Sequence, residues 1–191
     1  DHRVVQRVGR DLGPALLDVV RRYKVDGVHI DDYFYPYRSY ADGADFPDEP
    51  AWQRYQESGG GLSRSDWRRE HVNDFVERFY REVKAENPLV KVGISPFGIW
   101  RPGHPEGIEG MDQYEALYAD AKLWLNRGWV DYYTPQLYWP MEREKQSYVR
   151  LLEWSATTPR SAPKRAVNER VPGVLTDLNV DGRAWLAASK A

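Results

Sequence analysis

The 191-residue sequence contains no cysteine, so no disulfide can staple the fold and no thiolate can hold a metal. Its histidines do not make up for that: His2, His71 and His104 share no ligand spacing, and no zinc motif occurs. Neither sign of charge dominates. Lys and Arg number 27 against 29 Asp and Glu, and no cluster of five or more basic residues appears, so a nucleic-acid surface is not expected. No apolar run approaches the roughly 20 residues that span a bilayer, which leaves no membrane-spanning segment in this chain. No Gly-rich phosphate turn follows any predicted strand, and no cofactor is expected. The chain opens at Asp1 without an initiator Met or a leader and closes at Ala191 shortly after a predicted strand. Both ends are compatible with cuts through a larger domain, which would take any targeting signal from view.

What the chain has in abundance is aromatic surface: 14% of residues, with eight Trp and thirteen Tyr. With 41% hydrophobic residues overall, a globular body with a real core is expected. Part of the aromatic content belongs to that core, and the rest points to flat, ring-shaped ligands.

Val4, Val8, Leu12, Leu16, Val19, Val20 and Tyr23 fall at helical spacing, with Gly13-Pro14 placing the firm helix at about 14–23. Val25 to Asp32 reads as a strand. Residues 33–62 read as one long loop rich in Tyr, Pro, Gly and Asp, and loops of that length are more often functional than idle. Ser63 with Asp66 three residues on signals a helix start, and Val72, Phe75, Val76, Phe79, Tyr80 and Val83 carry the helix to about Ala85. Further on, 90–100 reads as a second strand, 112–127 as a helix capped by Gly128, and 129–139 as a third strand. A shorter helix over 145–156 and a fourth strand over 171–178 complete the pattern. Repeated βα units imply an α/β fold with parallel strands, and the longer loops follow the strands, as on the catalytic face of a barrel. A full (β/α)8 TIM barrel takes about 250 residues. The expected architecture is therefore a partial barrel of about four βα units. Residues 1–191 would form the C-terminal portion of one domain, with its N-terminal strands missing. A doubly wound sheet is the competing architecture, without the phosphate turn that usually marks it.

Side chains alternate along a strand, so in "DGVHIDD" His29 and Asp31 share one face while Val28, Ile30 and Asp32 share the other. The aliphatic face belongs against helices, which turns His29 and Asp31 into the barrel. The same parity turns Gly93 and Ser95 inward on the second strand. On the third, Gln136 and Tyr138 turn inward because Leu137 suits the helix-packed side. Trp100 and Trp139 lie just beyond. A carboxylate, hydrogen-bonding groups and aromatic walls at one set of strand ends suit a sugar, whose ring faces are apolar and whose edges carry hydroxyls. The other acids (Asp42, Asp45, Asp48, Glu49, Glu106, Glu109, Glu142 and Glu144) read as solvated loop charges. "DFPDEP" lacks the spacing and Gly of a calcium loop.

Three stretches in order, "VDGVHIDDYFYPY", "VKVGISPFGIWRPG" and "DYYTPQLYWP", strongly resemble the glycosyl-hydrolase-like family ten of bacteria. The likeness runs from about residue 15 to 155 and continues weakly through "PGVLTDLNVDGRAW". It implies a TIM barrel and O-glycoside hydrolysis of a bacterial cell-wall polysaccharide. The implied substrate is the glycan strand of peptidoglycan, which a division-site member of the family hydrolyses. It also implies an extracytoplasmic location, whether secreted, periplasmic or as a lipoprotein. More distantly, "DGVHID" resembles the fourth-strand pattern of the alpha-amylase superfamily, which puts the nucleophile at Asp31 and His29 where that pattern has Arg. The fifth-strand Glu of that pattern is replaced by Ser95. The resemblance thus implies Asp31, supported by Asp32 and His29, as the catalytic group. Tyr33, Tyr35, Ser95, Trp100, Gln136, Tyr138 and Trp139 would line the sugar site, with no metal.

Glycoside hydrolysis ordinarily needs two carboxyl groups about 5–5.5 Å apart for retention and farther apart for inversion. Neighbours on a strand face opposite ways, so Asp31 and Asp32 do not make that pair, and the partner acid stays unnamed. A non-catalytic glycan-binding protein on the same scaffold is the alternative. Metal-dependent hydrolysis through Asp31, Asp32 and His29 is a third reading with poorer geometry. Expressed alone, half a barrel would expose strand edges and core, and aggregation or poor folding is expected.

Overall fold

The strand segments pair as a parallel sheet in the computed structural model, which describes residues 3–32 and 34–157, with side chains from residue 13 onward. β1 (Gly27–Ile30), β2 (Lys91–Ile94) and β3 (Tyr132–Tyr133) lie side by side in that order. α1 (Arg3–Arg22) precedes β1, and α2 (Glu49–Glu57) and α3 (Arg64–Glu86) connect β1 to β2. α4 (Gln113–Ala116) and α5 (Ala121–Arg127) connect β2 to β3, and α6 (Tyr148–Thr157) follows. The class is α/β, as expected. The predicted strand at 171–178 lies outside the described residues.

Register explains how the two faces differ. His29, Gly93 and Tyr132 form one row across the three strands, and Ile30, Ile94 and Tyr133 form the next. Rows alternate in direction. Val28, Val92, Ile94 and Tyr133 are buried on one side. They join Leu17 and Val20 of α1, Val72, Val76, Phe79 and Val83 of α3, and Trp124 and Leu125 of α5 in two apolar clusters. The opposite side is open, with His29 and Asp31 both exposed.

Three boundaries differ from the sequence reading, each for a local reason. The segment 33–62 is not all loop: it holds a 3-10 turn (Arg38–Ala41) and α2, whose Pro50 sits where a first helical turn tolerates it. The helix read over 112–127 is broken. Asp112 caps α4 through Glu115 N, Asp120 caps α5 through Leu123 N, and Tyr118 between them takes a left-handed φ of 54°. The second cap signal, Asp120, was hidden inside continuous helical spacing. α1 runs on through Pro14 rather than starting there. By contrast, Ser63 caps α3 as its spacing predicts, accepting from Asp66 N at 3.1 Å.

Of the three acids of "DFPDEP", Asp45 and Glu49 are exposed as expected, while Asp48 is not solvated. Asp48 is buried and accepts both Nε and Nη2 of Arg68, at 2.8 and 2.7 Å, and Nη2 of Arg64 at 2.5 Å. Arg68, buried on α3, also donates to Asp45 at 2.9 Å, to the Tyr118 hydroxyl at 2.5 Å and to the Phe46 carbonyl at 3.3 Å. One guanidinium thus ties the long segment after β1 to both α3 and the α4–α5 break.

Candidate active site

The open face of the sheet is organised around Gly93. Lacking a side chain, it lets the His29 and Tyr132 rings meet over it from the flanking strands, with centroids 5.4 Å apart and planes 27° from parallel. His29 Nδ1 lies 2.9 Å from the Tyr132 hydroxyl, and Nε2 lies 2.6 Å from Ser95 Oγ. Ser95 Oγ is 2.9 Å from Thr134 Oγ1, which reaches the Ile94 carbonyl at 3.2 Å. One step toward the strand C-termini, Gln136 Nε2 donates to Asp31 Oδ1 at 2.5 Å and to the Ser95 carbonyl at 3.0 Å. The Asp32 backbone N–H donates to the same Asp31 oxygen at 2.9 Å. The Asp31 carboxylate is therefore held by two donors while the residue stays exposed.

With His29 neutral, one arrangement of the protons satisfies all of these contacts at once. A backbone carbonyl can only accept, so Thr134 spends its one hydroxyl proton on Ile94. Ser95 must then donate to Thr134, and His29 Nε2 must donate to Ser95. Neutral His29 is left with a bare Nδ1, which accepts from the Tyr132 hydroxyl. Desolvation pulls His29 below its ordinary 6.5, against the opposing attraction of the Asp31 carboxylate. Burial and the nearby Asp131 carboxylate raise Tyr132, which keeps its proton available to His29. Asp31, directly after β1, and Tyr132 from β3 are the titratable partners of His29, while Ser95, directly after β2, does not titrate.

Nitrogen-detected NMR at pH 7 should therefore find His29 as the Nε2–H tautomer, protonating only below the ordinary histidine value. Because the folded state disfavours that proton, stability from this group is complete above the ordinary value and falls as pH drops toward the folded one. A titration midpoint above 6.5 would contradict the arrangement. Gly93→Ala tests the same geometry sterically. A Cβ there would overlap the Tyr132 ring, and the ring must shift. The variant should lose the His29–Tyr132 hydrogen bond, read as a shifted His29 Nδ1 resonance, with a stability cost of about 1–3 kcal/mol in chemical unfolding.

Of the residues singled out from the sequence, His29, Asp31, Ser95 and Gln136 come together as parity demanded. Tyr138, 81% exposed, lies beyond this row with its ring in solvent. Asp32 does not join them. It is buried on the opposite face and accepts from the Tyr37 hydroxyl at 2.5 Å, so it fixes the chain after β1 and does not orient His29. Tyr35, expected as a sugar platform, is buried at 4% exposure between Phe46 and Tyr118, edge-on to both rings. Trp100 stacks on Trp154, donates Nε1 to Asp120 at 3.0 Å and meets His104 and Tyr114 edge-on. Trp139 packs edge-on against Phe97 beside the cluster of Ile99, Ile108 and Leu151. Both tryptophans thus anchor the loops after β2 and β3. Tyr33 lies outside the described residues. The sequence reading missed Tyr132 and Thr134, although both share the parity of Gln136. A separate cavity of about 190 Å³ under the segment after β1 is lined by Tyr35, Tyr37, Asp45, Phe46 and Tyr118 and includes none of the sheet-face residues. Among the described residues no group of three or more His, Asp or Glu side chains is placed to hold a metal ion.

Comparison with known proteins bears on the same segments. The profile of the glycosyl hydrolase-like 10 family matches residues 10–167. The chain is 38% identical over 151 residues to glycosyl hydrolase YngK of Bacillus subtilis, a match covering 76% of this chain and 29% of YngK. It is 36% identical over 143 residues to glycosyl hydrolase DigH of Escherichia coli K12, covering 73% of this chain and 31% of DigH. The chain therefore spans less than a third of the length of these curated relatives.

Proposed function

Because this chain belongs to the glycosyl hydrolase-like 10 family, we propose that its open sheet face is part of the active site of an O-glycoside hydrolase. In this reading the three parallel strands are an arc of a (β/α)8 barrel, and the face bearing His29 and Asp31 looks into it. Asp31 is the key carboxylate, acting as nucleophile or as electrostatic partner of the developing positive charge at the sugar. Gln136 and the Asp32 N–H aim it. His29, locked by Ser95 and Tyr132, stands beside it as a neutral hydrogen-bonding group. The substrate is a bacterial cell-wall polysaccharide, specifically the glycan strand of peptidoglycan, and the protein acts outside the cytoplasm.

One observation carries this reading: an exposed carboxylate at the C-terminal end of a parallel strand, oriented by a side chain from another strand. Barrel enzymes build their chemistry at that end. The names of YngK and DigH as glycosyl hydrolases support the reaction class. The test is incubation of the intact protein with purified, peptide-free glycan strands. New reducing ends are expected. Retention of the strands on the protein without new reducing ends would favour a non-catalytic glycan-binding role. One feature points that way: among the described residues no second Asp or Glu is hydrogen-bonded into the row that holds Asp31.

A further inference from the structure

In this proton arrangement the polar hydrogens of the row from Tyr132 to Thr134, and the side-chain hydrogens of Gln136, are committed to the protein itself. Tyr132 donates to His29, His29 to Ser95, Ser95 to Thr134, and Thr134 to the Ile94 carbonyl. Gln136 faces two groups that can only accept, the Asp31 carboxylate and the Ser95 carbonyl, so its nitrogen points inward with both hydrogens used. What the row has left for a ligand is acceptor capacity: the lone pairs of Tyr132 Oη, the remaining lone pairs of the Asp31 carboxylate, and Gln136 Oε1.

We propose that this face recognises the donor-bearing edge of a sugar, through hydroxyl or ammonium groups given to Tyr132, Asp31 and Gln136, and discriminates against a carboxylate-bearing ring at this position, so that of the two alternating sugars of a peptidoglycan strand it takes the one without a lactyl carboxylate. The inference rests on the glycoside hydrolase reading of the site and adds its polarity. A hydroxyl can satisfy these acceptors, and an ammonium does so with charge assistance from Asp31. A carboxylate placed here would meet lone pairs with lone pairs and a like charge on Asp31, leaving acceptors unpaired on both sides. Tyr132 is thus a specificity-determining residue, because its hydroxyl accepts from the ligand only while it donates to His29.

The experiment is calorimetric binding of three β-linked tetrasaccharides to the intact protein: one of glucosamine, one of glucose and one of glucuronate. The first two should bind, with the glucuronate oligomer weaker by about tenfold or more. Tyr132→Phe should weaken the glucosamine and glucose oligomers several-fold and narrow that gap, with the unfolding midpoint checked in parallel. Equal or tighter binding of glucuronate, or no binding of any of the three, would overturn the inference, as would an unchanged preference in a folded Tyr132→Phe protein. Cleavage of cell-wall glycan is scored separately. Cleavage without a donor preference removes the inference and leaves the hydrolase reading intact. A donor preference without cleavage does the reverse.

Discussion

Replacing Arg68 with Met is expected to lower the free energy of unfolding of the intact protein by about 3 kcal/mol. The Asp48 side chain is fully buried and the Arg68 side chain is 2% exposed, so neither charge has water to fall back on. Met keeps most of the aliphatic volume. It removes the bidentate partner of Asp48 together with the donors to Asp45, Tyr118 and the Phe46 carbonyl. Arg64 remains on Asp48, which places the cost at the lower end of what a broken buried pair usually shows. A pH signature accompanies it. Desolvation alone would raise the Asp48 carboxyl, but hydrogen bonds from Arg68 and Arg64 outweigh it and hold Asp48 below its ordinary 3.8. With a depressed folded value, the stabilisation is complete above the ordinary carboxylate range and is lost as pH falls through the folded value. Urea unfolding at pH 7 and well below pH 3.8 should show the deficit of the Arg68→Met protein shrinking at the lower pH. A wild-type midpoint at pH 7 would mean that the network contributes nothing measurable.

This network is also where the sequence was least legible. "DFPDEP" and "WRRE" lie some twenty residues apart, and nothing in either stretch says that Arg68 faces inward to meet Asp48 across a fold. Long-range ion pairs leave no periodic trace. The break at Tyr118 was hidden for a related reason: its left-handed backbone sits within Tyr114, Leu117, Ala121 and Trp124, whose spacing suits one unbroken helix. The sheet was far more legible. Period-two alternation assigned Val28, Val92 and Ile94 to the buried face and His29, Asp31, Ser95 and Gln136 to the open one, and the register brings those four together. Parity also put Asp32 on the helix-packed face, where it is buried, but it did not show that Asp32 pairs with Tyr37. Tyr35 lies farther past β1, and its surroundings are set by Phe46 and Tyr118, which alternation does not predict. The tryptophans after β2 and β3 illustrate the same limit. Aromatic content alone does not separate a sugar platform from a loop anchor, and the contacts of Trp100 and Trp139 are those of anchors.

Asp31→Asn is expected to cut glycan hydrolysis by roughly 10³-fold or more while leaving the fold and the bound geometry in place. The substitution is nearly isosteric. An Asn oxygen can still accept from Gln136 Nε2 and from the Asp32 N–H, so the side chain keeps its orientation and loses only its charge and nucleophilicity. The loss should therefore appear in kcat, with the dissociation constant for an uncleaved neutral oligosaccharide changed by no more than a few-fold. A variant that instead lost binding along with turnover would assign Asp31 to ligand capture. The most direct measurement is the rate at which the intact wild-type and Asp31→Asn proteins release new reducing ends from the same peptide-free glycan strands at pH 7. Steady release by the wild type with almost none from the variant is the predicted result, and undiminished release from Asp31→Asn would contradict the assignment of this sheet face as the catalytic one.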